Sequence, residues 1–143
     1  MCRIHGLGTA VWAARREVLP VLRGFGGIVG QVAFWDDADL FHHRQMGEDL
    51  ADAVGDADTV LMSGDGAIVL GSDLPHAMVR ARSLEERCKV ALHAGAEAVS
   101  FSDDQLQRRS RWCPGEEKRL RVWLRARYGD PEGEHAWIEG PQS

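Results

Sequence analysis

Long apolar runs are missing from this 143-residue chain, and so is any excess of basic charge. Without an unbroken apolar stretch of about 20 residues, no helix is expected to cross a bilayer. The N-terminus has neither the basic leader nor the apolar core of a secretory signal, so the expected compartment is the cytoplasm. A formal net charge of −5 gives no general attraction to nucleic acid or to an anionic membrane. Cysteine is scarce: Cys2, Cys88 and Cys113 are odd in number with no Cys-x-x-Cys spacing, which indicates neither a disulfide framework nor a zinc knuckle. There are no internal repeats.

What is present is a globular composition, 44% hydrophobic and 27% charged, at a length sufficient for one ordinary core. One domain is expected over residues 1–128. The stretch 129–143 reads as a loose tail, because its prolines, glycines and charges leave only Trp137 and Ile138 as strong anchors.

The chain is organised around Thr59 to Gly71. Two apolar runs, Thr59 to Met62 and Ala67 to Leu70, flank a turn in which Gly64 and Gly66 supply positive φ and Asp65 can bond its own backbone. That pattern predicts a β-hairpin. Ser72 or Asp73 then caps a helix from Leu74 to Ala94 whose first turn tolerates Pro75. Its apolar positions Leu74, Ala77, Met78, Ala81, Leu84, Cys88, Ala91 and Leu92 recur at three and four, so one face is buried and the Cys88 thiol is expected to be inert.

Upstream, Cys2 to His5 reads as a short strand and Thr9 as the cap of a helix over Ala10 to Leu19, ended by Pro20. Gly24 to Gly27 reads as a packing loop before a strand over Ile28 to Trp35, broken at Gly30. Met46, Leu50 and Val54 mark a helix after an acidic turn. His42 and His43 before it are adjacent, point apart and are expected to face solvent. Downstream, Ser102 and Gln105 open a helix to about Trp112. Pro114 and Gly115 separate it from a last helix, Glu116 to Tyr128, and the pair carries basic outer faces that suit solvent or a subunit contact.

The strand, the Gly64-Asp65-Gly66 turn, the strand ending at Gly71 and the Leu84-Glu85-Glu86 step resemble the second half of the class II aldolase and adducin family. That family carries Asn-His-Gly at the turn and a His-x-His pair on an earlier strand, where this chain has Arg3-Ile4-His5. The resemblance reaches from residue 1 to about 112. It implies an α/β/α sandwich of three layers with a mainly antiparallel sheet, flanked by the helices Ala10 to Leu19 and Leu74 to Ala94. It also implies a lyase of the aldolase or decarboxylase kind acting on a small carboxylated or hydroxylated substrate, with a non-catalytic, adducin-like assembly domain or a degenerate enzyme as the competing reading.

In the family three imidazoles hold a divalent metal that stabilises an enolate as a carbon–carbon bond breaks or forms. Here two of those positions are Arg3 and Asp65, and a guanidinium cannot lose its proton to make room for a dication. Metal binding is therefore expected to be weak or absent, unless His5, Asp65 and a residue such as His42 or His43 rebuild a zinc or manganese site. Arg3 and Asp65 are expected to form an ion pair in the metal's place, with His5 beside them. Three readings stay open: a pair that plugs a dead site, a working site, or an Asp65 engaged only with its own turn.

In the working site Arg3, His5 and Asp65 are catalytic, and Arg3, Gly64 and Gly66 contact substrate. The chain starts at the Arg-x-His strand, so the fold is expected to be N-terminally truncated. Its partners are expected to be further copies of itself or a chain that supplies the family's N-terminal half, with no nucleic acid and no membrane.

Overall fold

The computed structural model describes residues 1–23, 28–39 and 42–129. Its elements run β1 (Cys2–Ile4), α1 (Leu7–Arg15), β2 (Val32–Trp35), α2 (Arg44–Val54), β3 (Thr59–Met62), β4 (Gly66–Val69), α3 (Leu74–Ala94), α4 (Asp103–Ser110) and α5 (Cys113–Tyr128). The loop at residues 24–27 and the tail at 130–143 lie outside the described residues.

The four strands form one mixed sheet in the order β1-β4-β3-β2, with β2 parallel to β3 and the other two pairings antiparallel. All of β3 and β4 is buried, because both faces are covered. Side chains alternate between two cores, as strand periodicity requires. Leu61, Ala67 and Val69 pack with Trp12 and Ala13 of α1 and Leu84 and Cys88 of α3. Val60, Met62 and Ile68 pack on the other face with Leu50 and Val54 of α2. This is the three-layer sandwich, with one correction: α1 and α3 share a layer, and α2 alone makes the opposite one.

Several boundaries differ from the sequence reading, each for a physical reason. The first helix starts at Leu7 rather than Ala10, because the Glu85 carboxylate of α3 accepts from the backbone N–H of Gly8 (2.8 Å) and Thr9 (2.9 Å). Those two donors are among the groups a helix start leaves unpaired. Thr9 is thus fully buried inside the helix rather than capping it, its hydroxyl donating to the Gly6 carbonyl at 2.9 Å. The helix ends at Arg15, with Arg16 left-handed at φ 54°. The Ile28 to Trp35 run is a strand only from Val32, after Gly30 turns the chain with φ 69°. The hairpin's second strand begins at Gly66, so Leu70 lies beyond it and is exposed.

In α3 the N-cap is Asp73, whose carboxylate accepts from the His76 N–H at 2.7 Å, with Pro75 in the first turn. Leu74 is half exposed despite its place in the apolar pattern, and Val79 is fully buried though it lies outside that pattern. The capping box of Ser102 and Gln105 opens α4. The last helix begins at Cys113, because Pro114 fits a first turn that needs no N–H from it. No residue of α4 or α5 is buried. α5 lies on α3, where Arg121 pairs with Asp73 (3.2 Å) and Glu117 (3.0 Å). Among the described residues no helix is long and apolar enough to cross a membrane.

Candidate functional site

The antiparallel pairing of β1 with β4 sets Arg3 opposite Ile68 and Ile4 opposite Ala67, which brings the end of β1 beside the hairpin turn. That turn closes through the Asp65 N–H donating to the Met62 carbonyl at 3.1 Å, with Gly64 at φ 74°. Gly66 follows at φ 91°, and a Cβ there would stand 2.3 Å from the Ile4 carbonyl oxygen. Only glycine lets the turn lie this close to β1.

His5 follows one residue past the end of β1. Arg3 lies on β1 facing away from α1 and α3, on the opposite face of the sheet, since its neighbours Cys2 and Ile4 pack toward those helices. α2 packs there over β2, at the far edge of the sheet, and leaves the β1 end open. The Nη2 of Arg3 donates to Asp65 Oδ2 in a short ion pair, and His5 Nδ1 lies 3.2 Å from Asp65 Oδ1. One carboxylate therefore bridges a guanidinium and an imidazole. The side chains of Arg3, His5 and Asp65 are 41%, 60% and 26% exposed, so the pair is a surface feature. Its contribution to stability is about 0–1 kcal/mol, the range for solvated pairs.

As a metal site the arrangement fits poorly. It offers one imidazole and one carboxylate, and the carboxylate is already paired with a fixed cation. Among the described residues no group of three His, Cys, Asp or Glu side chains is placed to hold an ion. His43 does not converge on the cluster. It caps α2, its Nδ1 accepting from the Met46 N–H at 3.3 Å, and His42 stacks edge-on against it. Both histidines are exposed.

A hollow of about 290 Å³ lies elsewhere, between α3 and α5, lined among others by Arg23, Glu86, Arg119 and Trp123. Its charges are already engaged, Glu86 with Arg23 and Arg82, Glu116 with Arg119, and Arg87 with backbone carbonyls. The bridge of Arg3, Asp65 and His5 is the better candidate, because it leaves donors and a ring nitrogen turned to solvent.

With that geometry in hand, the family described as Class II Aldolase and Adducin N-terminal domain matches residues 4–92. The chain belongs to the class II aldolase and adducin family. Its matched stretch runs from β1 through the last turn of α3, shorter than the reach to about 112 read from the sequence. An aldolase II superfamily protein from Pseudomonas syringae has the same fold, with TM-score 0.70, 19% identity, and coverage of 87% of this chain and 53% of that one. An L-fuculose 1-phosphate aldolase gives 0.65, 20%, 76% and 52%. Another, from Glaciozyma antarctica PI12, gives 0.64, 15%, 88% and 52%. The chain thus spans about half the length of these solved relatives. No curated protein sequence matches it.

Two residues with decisive roles in this family member escape sequence reading. Glu85 looks like part of a solvated helix face and instead holds the start of α1. Arg87 looks exposed and is mostly buried, donating to the carbonyls of Pro20 (3.0 Å), Gly30 (3.4 Å) and Leu19. Burial lowers its pKa to about 10, which still leaves it charged at neutral pH. The signal available for Glu85 was the family's Leu-Glu-Glu step. For Arg87 there was none.

Proposed function

We propose that this chain is a divergent class II aldolase-like lyase domain that works without the family's metal, through Arg3, His5 and Asp65. The observation that carries the reading is the Asp65 carboxylate bridging Arg3 and His5. Where a Lewis acid would hold an enolate oxygen, the reading puts the Arg3 guanidinium, a permanent cation with several donors. Asp65 uses one oxygen on Arg3 Nη2, leaving Nε and Nη1 for a substrate carboxylate or enolate.

His5 Nδ1 lies 3.2 Å from Asp65 Oδ1, and the reading puts the ring proton on Nδ1, beside the carboxylate, so that a proton-free Nε2 serves as the general base. For a β-hydroxy carbonyl substrate, Nε2 takes the hydroxyl proton and the carbon–carbon bond breaks. The bonding pair passes into the neighbouring carbonyl as an enolate held on Arg3, and the imidazolium returns the proton to the enolate carbon. The Gly64 and Gly66 backbone borders the space a substrate enters.

The test is turnover of small β-hydroxy keto acids in the presence of a strong chelator. Chelator-resistant cleavage that disappears in both Arg3→Ala and His5→Ala supports the reading. Cleavage that needs added zinc or manganese, or that survives both substitutions, rejects it.

A second reading rests on the 60% exposure of His5, because water at an open site weakens electrostatic stabilisation of an enolate. On that reading the domain binds a partner or assembles with its own kind, as the adducin branch of the family name suggests. Absence of turnover and of any melting-point rise with small hydroxy or keto acids favours it.

A further inference from the structure

Along one side of α5, Trp112, Glu116, Arg119 and Trp123 follow at steps of four, three and four, so they line up over about 16 Å of helix. Three hollows follow that line. The first, of about 290 Å³ between α3 and α5, shares Glu116 and Arg119 with a second of about 390 Å³, which shares Arg109 and Trp112 with a third of about 320 Å³ against α4. Their common walls make them one groove. We infer that this groove binds single-stranded nucleic acid, with its arginines on the phosphates and Trp112 under a base.

The lining has the composition that such a strand requires. Six arginines, Arg23, Arg87, Arg108, Arg109, Arg111 and Arg119, stand against two carboxylates, Glu86 and Glu116, and neither lysine nor aspartate lines the groove among the described residues. Some of these arginines are paired: Arg23 with Glu86, Arg119 with Glu116, and Arg108 with Asp104. Arg109 and Arg111 make no ion pair among the described residues, and the Arg111 guanidinium lies 5.3 Å over the Trp112 ring. Trp112 is 58% exposed, a large ring left open where unpaired bases can stack on it whatever their sequence. Trp123, under the Arg82 guanidinium, closes the far end.

The net charge of −5, from which no attraction to nucleic acid was expected, averages two unlike sides. Residues 36–58 carry eight acidic side chains against one basic, and α2, within them, covers the face of the sheet opposite α3. α5 lies on α3, so the groove is turned away from that acidity. Exposed charges beyond a Debye length of about 8 Å at physiological salt are largely screened, and a strand in the groove meets the local cations. A duplex fits less well, because its bases are already stacked on one another. The α4 and α5 walls lie beyond residue 92, outside the family match, so binding here is independent of the site at Arg3.

Fluorescence anisotropy of end-labelled uridine and thymidine strands of about 12 nucleotides, titrated with the full chain at about 50 and about 200 mM sodium chloride, tests this. Expected is saturable binding at the lower salt that weakens roughly tenfold or more at the higher, because each phosphate contact releases a counterion. Binding of either strand supports the inference, and a tighter uridine strand assigns the groove to RNA. Arg109→Glu should weaken binding about tenfold and Trp112→Ala about fivefold or more. Lys118→Glu makes the same change of charge on α5 outside the groove and should stay within about twofold of the wild type. All three positions are exposed, so the variants keep the fold. No saturable binding at the lower salt overturns the inference, and so does an equal loss in Lys118→Glu and Arg109→Glu. A duplex of the same length bound as tightly as the single strands also overturns it. Competition by polyglutamate as strong as by the strands, with Trp112→Ala silent, would reassign the groove to an acidic peptide and likewise overturn it.

Discussion

Glu85 reaches from the middle of α3 to the first turn of α1, where its two carboxylate oxygens accept from the backbone N–H groups of Gly8 and Thr9 at 2.8 and 2.9 Å. Gly6 stands at the N-cap position with no side chain to offer, so a residue 76 positions downstream from Thr9 does the capping. Lys89, one turn on, holds the same carboxylate at 3.0 Å. The helix beside β1 is thereby fixed to the long helix, and with it the strand that carries Arg3 and leads into His5.

Replacing Glu85 with Ala should cost about 1–2 kcal/mol, the upper part of the range for losing a helix cap. Burial acts to raise the Glu85 pKa, but the N–H bonds from Gly8 and Thr9 and the Lys89 charge outweigh it and hold the value below the ordinary 4.5. A carboxylate with a depressed folded pKa adds stability above its unfolded pKa and loses it as pH falls through the folded one. Denaturant melts of the wild type should therefore lose this increment below about pH 4.5, and Glu85→Ala should show a smaller loss over the same interval.

Gly66→Ala should destabilise the chain by about 2 kcal/mol or more, because the substitution meets both a positive φ and a carbonyl oxygen 2.3 Å from the new Cβ. The strain falls on the pairing of β4 with β1. Hydrogen exchange should accordingly accelerate at Arg3 and Ile4 before it does in α3.

Arg87→Met should cost about 2–4 kcal/mol, since it leaves the carbonyls of Leu19, Pro20 and Gly30 without their shared donor. Arg87→Lys should recover only part, because an ammonium cannot span three acceptors as a planar fork does. Urea midpoints of the three proteins give the comparison.

Cys88 should resist alkylation in the native state while Cys2 reacts. The Cys88 thiol is fully buried in the core and its pKa is pushed up to about 12, chiefly by burial, so almost no thiolate exists at neutral pH. Mass spectrometry after iodoacetamide treatment, with and without denaturant, separates the two.

The hairpin was legible because its information is local: alternating apolar residues on either side of a turn that only glycines satisfy. The same holds for α3, where an Asp cap, an early proline and a stripe at three and four all agree. The start of α1 was not legible, because its cap comes from Glu85 and no pattern near Thr9 records that. The burial of Arg87 was not legible for a related reason, since a guanidinium can be buried wherever loop carbonyls surround it. The meeting of Arg3 and Asp65 follows from β1 lying against β4, a pairing between distant segments that the family resemblance supplied. The resemblance carried nothing about their exposure, which depends on how far α2 extends across the sheet.

The central claim is that Arg3, Asp65 and His5 meet through a carboxylate bridge at the place where the family resemblance implies a metal held by three imidazoles. Metal content after zinc loading and desalting tests it most directly, on the wild type and on the double substitution Arg3→His with Asp65→His, which completes a three-imidazole set with His5. The account predicts negligible zinc in the wild type and about one zinc per chain in the double variant. Wild-type protein that retains about one zinc and loses it in His5→Ala, or a double variant that retains none, would contradict it.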